Sequence, residues 1–137
     1  NSDGHNYYSS DWGDRFIAKQ LIISSTSNSP PTVNSFKINN STTTTSFSVG
    51  DTVALSIDAT DPNNLPIEYL YKLYNGSTAK VISDWSSQSS LNYTFVDADN
   101  TGSSSLAFWI GVRNNDGNNY YSSSWGDRFI YRSLTLQ

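Results

Sequence analysis

The sequence predicts an all-β protein, an antiparallel β-sandwich of seven or eight strands with Greek-key connections. From residue 32 onward, apolar and polar residues alternate in short runs separated by Gly, Pro, Asn and Asp, and no stretch shows sustained helical periodicity. Only 36% of the residues are hydrophobic, and Ser, Thr and Asn are abundant, as expected for strands with one solvated face. Aromatic residues make up 14% of the chain, so a few core positions can still bury a large area.

The first half of the predicted sandwich contains three strands. Residues 32–38 (TVNSFKI) form the first, and residues 46–49 (SFSV) form a short second strand after a polar turn. Residues 52–60 (TVALSIDAT) alternate strictly between apolar and polar side chains, which predicts a half-buried strand. Residues 61–64 (DPNN) then predict a turn, because Pro fixes φ and Asn tolerates left-handed backbone geometry.

The second half begins with a predicted hairpin. Residues 67–74 (IEYLYKLY) alternate again, and Asn75-Gly76 is a strong hairpin signal before residues 79–85 (AKVISDW). The remaining predicted strands are 91–95, 106–112 (LAFWIGV, the most apolar and therefore central) and 128–136 (RFIYRSLTL). The residues expected to carry the core are Leu55, Ile57, Tyr71, Phe108 and Ile110.

One stretch of the chain occurs twice. Residues 3–17 (DGHNYYSSDWGDRFI) and 116–130 (DGNNYYSSSWGDRFI) are identical at 13 of 15 positions, at an offset of 113 residues. This period exceeds one supersecondary unit, so the repeated object should be a whole small domain. We therefore expect residues 1–23 to be the terminal loop and strand of a preceding repeat, residues 24–30 a linker, and residues 31–137 the complete domain.

Composition disfavours several functional classes. The net charge of −4 argues against nucleic acid and anionic membrane surfaces, and no apolar run is long enough for a transmembrane helix. There is no cysteine, and the single histidine, His5, is replaced by Asn118 in the second copy of the repeat. Because nucleophilic hydrolysis usually needs a base such as His, we expect no enzymatic activity. An acidic, cysteine-free composition rich in Ser, Thr and Asn is typical of prokaryotic surface proteins and favours an extracellular or cell-surface location.

A family resemblance appears at residues 49–69 (VGDTVALSIDATDPNNLPIEY). This string resembles bacterial and archaeal immunoglobulin-like surface repeats, with PKD-type and cadherin-like domains as the nearest relatives. The resemblance implies an immunoglobulin-like sandwich that occurs in tandem on secreted or cell-surface proteins. This chain departs from the pattern in two places: the turn at residues 61–66 lacks two acids that can ligate calcium in such repeats, and Tyr71 stands where PKD domains commonly have Trp.

Two pairs of carboxylates are candidate ligands for Ca²⁺, which prefers clustered oxygen ligands. They are Asp58 with Asp61, and Asp97 with Asp99. Strand-connecting loops can meet at one end of a sandwich, so the pairs could converge on one ion. The alternative interpretation is that these residues hydrogen-bond to the backbone of their own turns.

The second copy of the repeat is also a candidate carbohydrate site, since exposed aromatic rings stack on sugars and polar side chains bind hydroxyl groups. The candidate residues are Trp85, Tyr120, Tyr121, Trp125 and Arg128. Alternatively, the aromatic side chains fold back as a small core beneath a long loop, with Arg128 stacked on one of them.

The first copy is a candidate for self-association. Without the rest of its domain, the segment at residues 12–23 would be an edge strand with unpaired backbone groups, able to pair with a neighbouring copy or to take the place of its closing strand. The residues expected at such an interface are Trp12, Phe16, Ile17, Leu21, Ile22 and Ile23. The sequence thus favours a tandem structural unit of an extracellular fibre or adhesin, with neighbouring copies as partners. The alternative is a carbohydrate-binding module of a secreted polysaccharide-degrading enzyme.

Overall fold

The computed structural model describes residues 28–137, so the expected preceding-repeat segment and its six self-association residues lie outside the described residues. Nine strands follow one another in the described part of the chain. They are β1 (Thr32–Ile38), β2 (Ser46–Phe47), β3 (Thr52–Thr60), β4 (Ile67–Asn75), β5 (Ala79–Ser86), β6 (Ser90–Thr94), β7 (Leu106–Asn114), β8 (Arg128–Ser133) and β9 (Thr135–Leu136).

These strands form two packed antiparallel sheets, which confirms the predicted β-sandwich. One sheet has the order β1-β3-β6 and the other the order β5-β4-β7-β8, while β2 and β9 form a short parallel pair. Greek-key connectivity remains a prediction. Helical structure in residues 28–137 is limited to a 3-10 turn at Asp97–Asp99, and no helix there is long and apolar enough to cross a membrane.

The closing segment differs from its prediction as a single strand. β8 ends at Ser133, and the backbone N–H of Leu134 donates to the carbonyl of Leu106 at 2.7 Å. The chain then continues as β9, which pairs with β2 and no longer extends the ladder with β7. Residues 128–136 therefore bend at Leu134, which buries that side chain in the core.

The core lies between the two sheets and contains the predicted residues. Tyr71, Phe108 and Ile110 are completely buried, and Leu55 and Ile57 are at most 5% exposed. Tyr71 can be buried because its hydroxyl donates a hydrogen bond to the carbonyl of Gln88 at 2.9 Å. Burial raises the pKa of this hydroxyl, so it stays protonated and keeps its role as a donor.

Strand register defines two opposite ends of the sandwich. At the first, which we call the linker pole, Thr32 pairs with Thr60 and Ile67 pairs with Asn114. At the other, the far pole, Thr52 pairs with Thr94, Asn75 pairs with Leu106, and β9 lies beside β2. The strands between them have up to nine residues, so the poles are about 26 Å apart.

Candidate functional site

The second copy of the repeated sequence packs onto the outer face of the four-stranded sheet. Trp109 and Phe129 point to this face, because the alternate residues Ile110 and Ile130 belong to the core. The Trp125 ring lies 4.7 Å from the Phe129 ring and 5.8 Å from the Trp109 ring, measured between centroids. The loop therefore covers the sheet with aromatic side chains. The set that we call the aromatic face comprises Tyr74, Trp85, Trp109, Tyr121, Trp125, Phe129 and Tyr131.

This aromatic face explains a buried residue on the solvent side of β4. Leu70 is only 3% exposed, although it alternates with the core residues Tyr69 and Tyr71. Its cross-strand partner is Gly111, where a side chain would collide with Trp85: a Cβ atom would lie 2.8 Å from Cη2 of that ring. The missing side chain at residue 111 lets the Trp85 ring lie directly on the sheet.

Two cations pack against these rings. Lys72 Nζ lies 4.7 Å from the centroid of Trp125, and the guanidinium carbon of Arg113 lies 4.2 Å from that of Trp85. Arg113 also forms an ion pair with Glu68 at 2.7 Å. Because the negative faces of aromatic rings attract cations, both contacts fix the tryptophans in place.

Part of the aromatic face remains open to solvent. Tyr121 is 58% exposed and Tyr131 is 65% exposed, and both rings stack on Phe129 at centroid distances of 5.6 and 6.2 Å. Tyr74, Trp109 and Tyr131 also belong to the aromatic face, but they were not among the predicted sugar-binding residues. Their signal is nonetheless in the sequence, because aromatic residues fill strand positions that alternate with the core and would normally be polar.

The predicted sugar-binding residues separate into two groups. Trp85, Tyr121 and Trp125 come together on the aromatic face. Tyr120 instead contacts the end of the linker at Asn28, and Arg128 donates to the carbonyl of Pro31, the residue that directly follows the linker. The interpretation of the aromatic residues as a small core beneath the loop thus agrees with the positions of Trp85 and Trp125, which are both half-buried.

The linker pole holds the end of the linker through side chains that are distant in sequence. Four side chains of the domain hydrogen-bond to the backbone of residues 28–31. The contacts join Ser29 N to Asn63 Oδ1 (3.0 Å), Asn114 Nδ2 to Ser29 O (3.3 Å), Arg128 Nε to Pro31 O (2.9 Å) and the Tyr120 hydroxyl to Asn28 O. Pro31 is also buried, so the linker is docked before β1 begins.

Two buried carboxylates support this arrangement. Asp127 is 1% exposed, and its two oxygens accept hydrogen bonds from the backbone N–H groups of Asn114 (2.9 Å) and Tyr120 (3.1 Å). Asp61 accepts a hydrogen bond at 2.9 Å from the Asn114 side chain, which also donates to the linker. Asn114 therefore connects the loop, the turn after β3 and the linker in a single buried network.

The carboxylate of Asp61 also fixes its own turn. Its Oδ1 accepts hydrogen bonds from the backbone N–H groups of Asn63 and Leu65 at 2.9 and 3.0 Å. Burial disfavours the charged form, but these bonds and the bond from Asn114 more than offset that cost, so the pKa of Asp61 lies below its usual value. This matches the interpretation in which the acidic residue caps its turn.

Asp99 has a similar arrangement at the far pole. Lys80 Nζ lies 2.7 Å from one oxygen, while the Tyr93 hydroxyl and the backbone N–H of Val96 donate to the other at 2.6 and 3.0 Å. Burial opposes ionisation of Asp99, yet the bonds from these donors lower its pKa below the usual value. Asp58 and Asp97 are exposed, and among residues 28–137 no three His, Cys, Asp or Glu side chains are placed to hold a metal ion together.

The chain matches no family model, no curated protein sequence and no solved structure. Its resemblance to immunoglobulin-like surface repeats therefore rests on the motif at residues 49–69 and remains a prediction.

Proposed function

We propose that this chain is a structural building block of an extracellular or cell-surface repeat protein, such as a fibre or an adhesin, in which domains follow one another head to tail. The observation that carries the proposal is the docked linker. Hydrogen bonds donated by Asn114, Tyr120 and Arg128, and one accepted by Asn63, restrict how the chain enters the sandwich. A unit that only tethered other domains would not need its linker to be oriented in this way.

The duplicated sequence supports a regular array of such units. At an offset of 113 residues, Asn114, Tyr120 and Arg128 correspond to Asn1, Tyr7 and Arg15. The carboxylate that organises the loop, Asp127, corresponds to Asp14. A preceding domain with the same side chains would hold its own linker in the same way, which would give a repeated angle between neighbouring units.

The positions of the two ends favour resistance to tension. The linker meets Thr32 at the linker pole, and β9 lies at the far pole beside β2. A force applied through these ends acts along the strands, so the hydrogen bonds of a ladder are loaded together in shear. Force applied at a single pole would instead break the ladders one bond at a time.

Single-molecule pulling of the protein tests this role. One variant carries handles at Asn28 and Gln137, which lie at opposite poles, and its control carries handles at Asn40 and Gln137, which both lie at the far pole. We expect a clearly higher unfolding force for the first geometry. Equal forces in the two geometries would contradict a role in bearing tension.

A second candidate function, binding of a glycan, is favoured by the open part of the aromatic face. Tyr121 and Tyr131 expose more than half of their surface and stack on Phe129, whose ring also packs against Trp125, an arrangement on which sugar rings can stack. This function would suit a module attached to a secreted polysaccharide-degrading enzyme.

A glycan array tests the second candidate. If the face binds sugar, Tyr121→Ala and Trp125→Ala should abolish the signal, whereas Tyr120→Ala should retain it because that side chain contacts the linker. No signal with the unmodified protein, or equal loss in all three variants, would refute the glycan proposal and leave the structural one unaffected.

A further inference from the structure

The closing segment of the sandwich, residues 125–136, has a burial pattern that can be compared position by position with residues 12–23. The side chains of this segment that pack against the core are Ile130, Leu134 and Leu136, and Phe129 lies in the aromatic face. At an offset of 113 residues, their counterparts are Phe16, Ile17, Leu21 and Ile23. All four positions are therefore apolar in both segments.

The two segments differ mainly where the structure is open to solvent. Tyr131, Ser133 and Thr135 are exposed, and their counterparts are Ala18, Gln20 and Ile22. An exposed position imposes no limit on size or shape, so these three changes leave the fit unaffected.

Two differences remain: Ile23 corresponds to Leu136 and keeps its apolar character, and Lys19 corresponds to Arg132 and keeps its charge. Arg132 donates to the carbonyls of Phe36 and Ser41 and lies over the Phe36 ring at 4.6 Å. Its counterpart, Lys19, also carries a positive charge and can donate to one of these carbonyls. Residues 12–23 thus carry a side chain of matching character at each buried position of β8 and β9, with one hydrogen bond fewer at the position of Arg132.

The short connection between residues 23 and 29 decides whether the segment can come from the same molecule or must come from another. The backbone N–H of Leu134 is hydrogen-bonded to Leu106 at the far pole, and the carbonyl of Ser29 is hydrogen-bonded to Asn114 at the linker pole. Leu106 and Asn114 are the two ends of β7, so Leu134 and Ser29 are separated by about the length of that strand, about 26 Å. If Ile23 took the position of Leu136, at the far pole, only five residues, or six Cα–Cα steps, would connect it to Ser29. Six fully extended Cα–Cα steps span at most about 22 Å, so a molecule cannot place this segment in its own sandwich while its linker stays docked at the linker pole.

We infer that residues 12–23 of one molecule can take the place of residues 125–136 in a second copy of this chain. The contact is heterologous, since the donated segment and the site that receives it are different surfaces. Each molecule could donate to one neighbour and accept from another, which would produce an open-ended, head-to-tail fibre. This inference rests on the proposed structural function and names the second copy as the partner.

The chain's own closing segment competes for the same site. It is already attached to the domain, so it has the advantage of a high effective concentration over a segment from another molecule. β8 is an edge strand that pairs on one side, with β7, and this makes its release less costly than that of a central strand. Weakening the contacts of β8 and β9 should therefore favour the segment donated by another molecule and make the strand exchange detectable.

A matched set of full-length variants tests the inference. Leu134→Asp places a charge at a core position that is 5% exposed and so weakens the chain's own closing segment. Leu21→Asp makes the same change in the donated segment. In sedimentation velocity, Leu134→Asp should form oligomers that grow with concentration, with near-UV circular dichroism of folded protein. The double variant should form no folded oligomer, and Leu21→Asp should behave like the unmodified protein.

Two results would overturn the inference. One is a Leu134→Asp protein that stays monomeric or loses its near-UV signal at every concentration. The other is identical association of the single and double variants, because that would show aggregation without strand donation. Neither result would affect the proposed structural unit, whose pulling test uses the domain with its own closing segment in place.

Discussion

Substitution of Phe108 by alanine tests the energetic centre of the sandwich. Phe108 is completely buried in β7, and its ring centroid lies 5.8 Å from that of Phe95 and 6.0 Å from that of Tyr93, whose ring is nearly perpendicular to it. Removing the ring loses a transfer free energy of about 1.5–3 kcal/mol. It also leaves a cavity, since the surrounding side chains come from both sheets and cannot all move inward, which brings the expected total to about 3–5 kcal/mol.

Urea unfolding, followed by tryptophan fluorescence and far-UV circular dichroism, measures this loss. A domain of this size is expected to have a free energy of unfolding of about 5–15 kcal/mol, so the variant should unfold at a much lower urea concentration with an unchanged m-value. Tyr131→Ala is the control, because that side chain is 65% exposed and its removal should change stability by at most about 0.5 kcal/mol. A loss below about 1 kcal/mol for Phe108→Ala would refute its place at the centre of the core.

Three further predictions concern the loop, the buried acids and calcium. Gly126→Ala should destabilise the domain by about 2–5 kcal/mol, because backbone strain of about 1–2 kcal/mol at φ +71° adds to the roughly 1–3 kcal/mol of crowding from a Cβ that would lie 2.7 Å from that of Arg113. Gly117→Ala, with φ +83° but open space around it, should cost only the backbone strain of about 1–2 kcal/mol; equal losses in thermal melts would exclude crowding at Gly126. Since the pKa of Asp99 is lowered in the fold, its contribution to stability should be present above the unfolded value of about 3.9 and disappear as the pH falls through the lower folded value. Asp99→Asn should therefore flatten the acid limb of a plot of urea midpoint against pH, and an unchanged limb would contradict this. EDTA should leave the melting temperature unchanged, because both oxygens of Asp61 already accept hydrogen bonds from the protein; a decrease that added calcium reverses would instead establish a calcium site.

The strands and the core could be predicted from the sequence because their signals are local. Alternation at residues 52–60 predicts both the limits of β3 and its buried face, and the structure agrees at Val53, Leu55 and Ile57. The bend at Leu134 was not predictable in this way. Residues 128–136 look like one continuous strand, and the bend depends on a hydrogen bond to Leu106 and on pairing with β2, both far away in sequence.

The arrangement of the candidate site was less predictable from the sequence than the strands and the core, because it depends more strongly on tertiary structure. The duplication singles out residues 116–130 in the sequence, and their composition predicts aromatic packing. The roles of Arg128 and Tyr120 follow from contacts with the linker that span 97 and 92 residues of sequence. No local pattern encodes such a partner, because it is the packing of the sheets that brings the linker beside this loop.

The sequence by itself therefore determined the all-β class, the strand positions, the core and the existence of a duplicated closing segment. Alternation and turn residues act within a few positions of one another, so they can be read before folding is considered. Only the tertiary structure decided which side of each strand meets the aromatic face, how the end of the linker is held at one pole, and where the closing segment bends to pair with β2. These properties depend on distances between segments that are remote in the chain, and those distances exist only once the two sheets have packed.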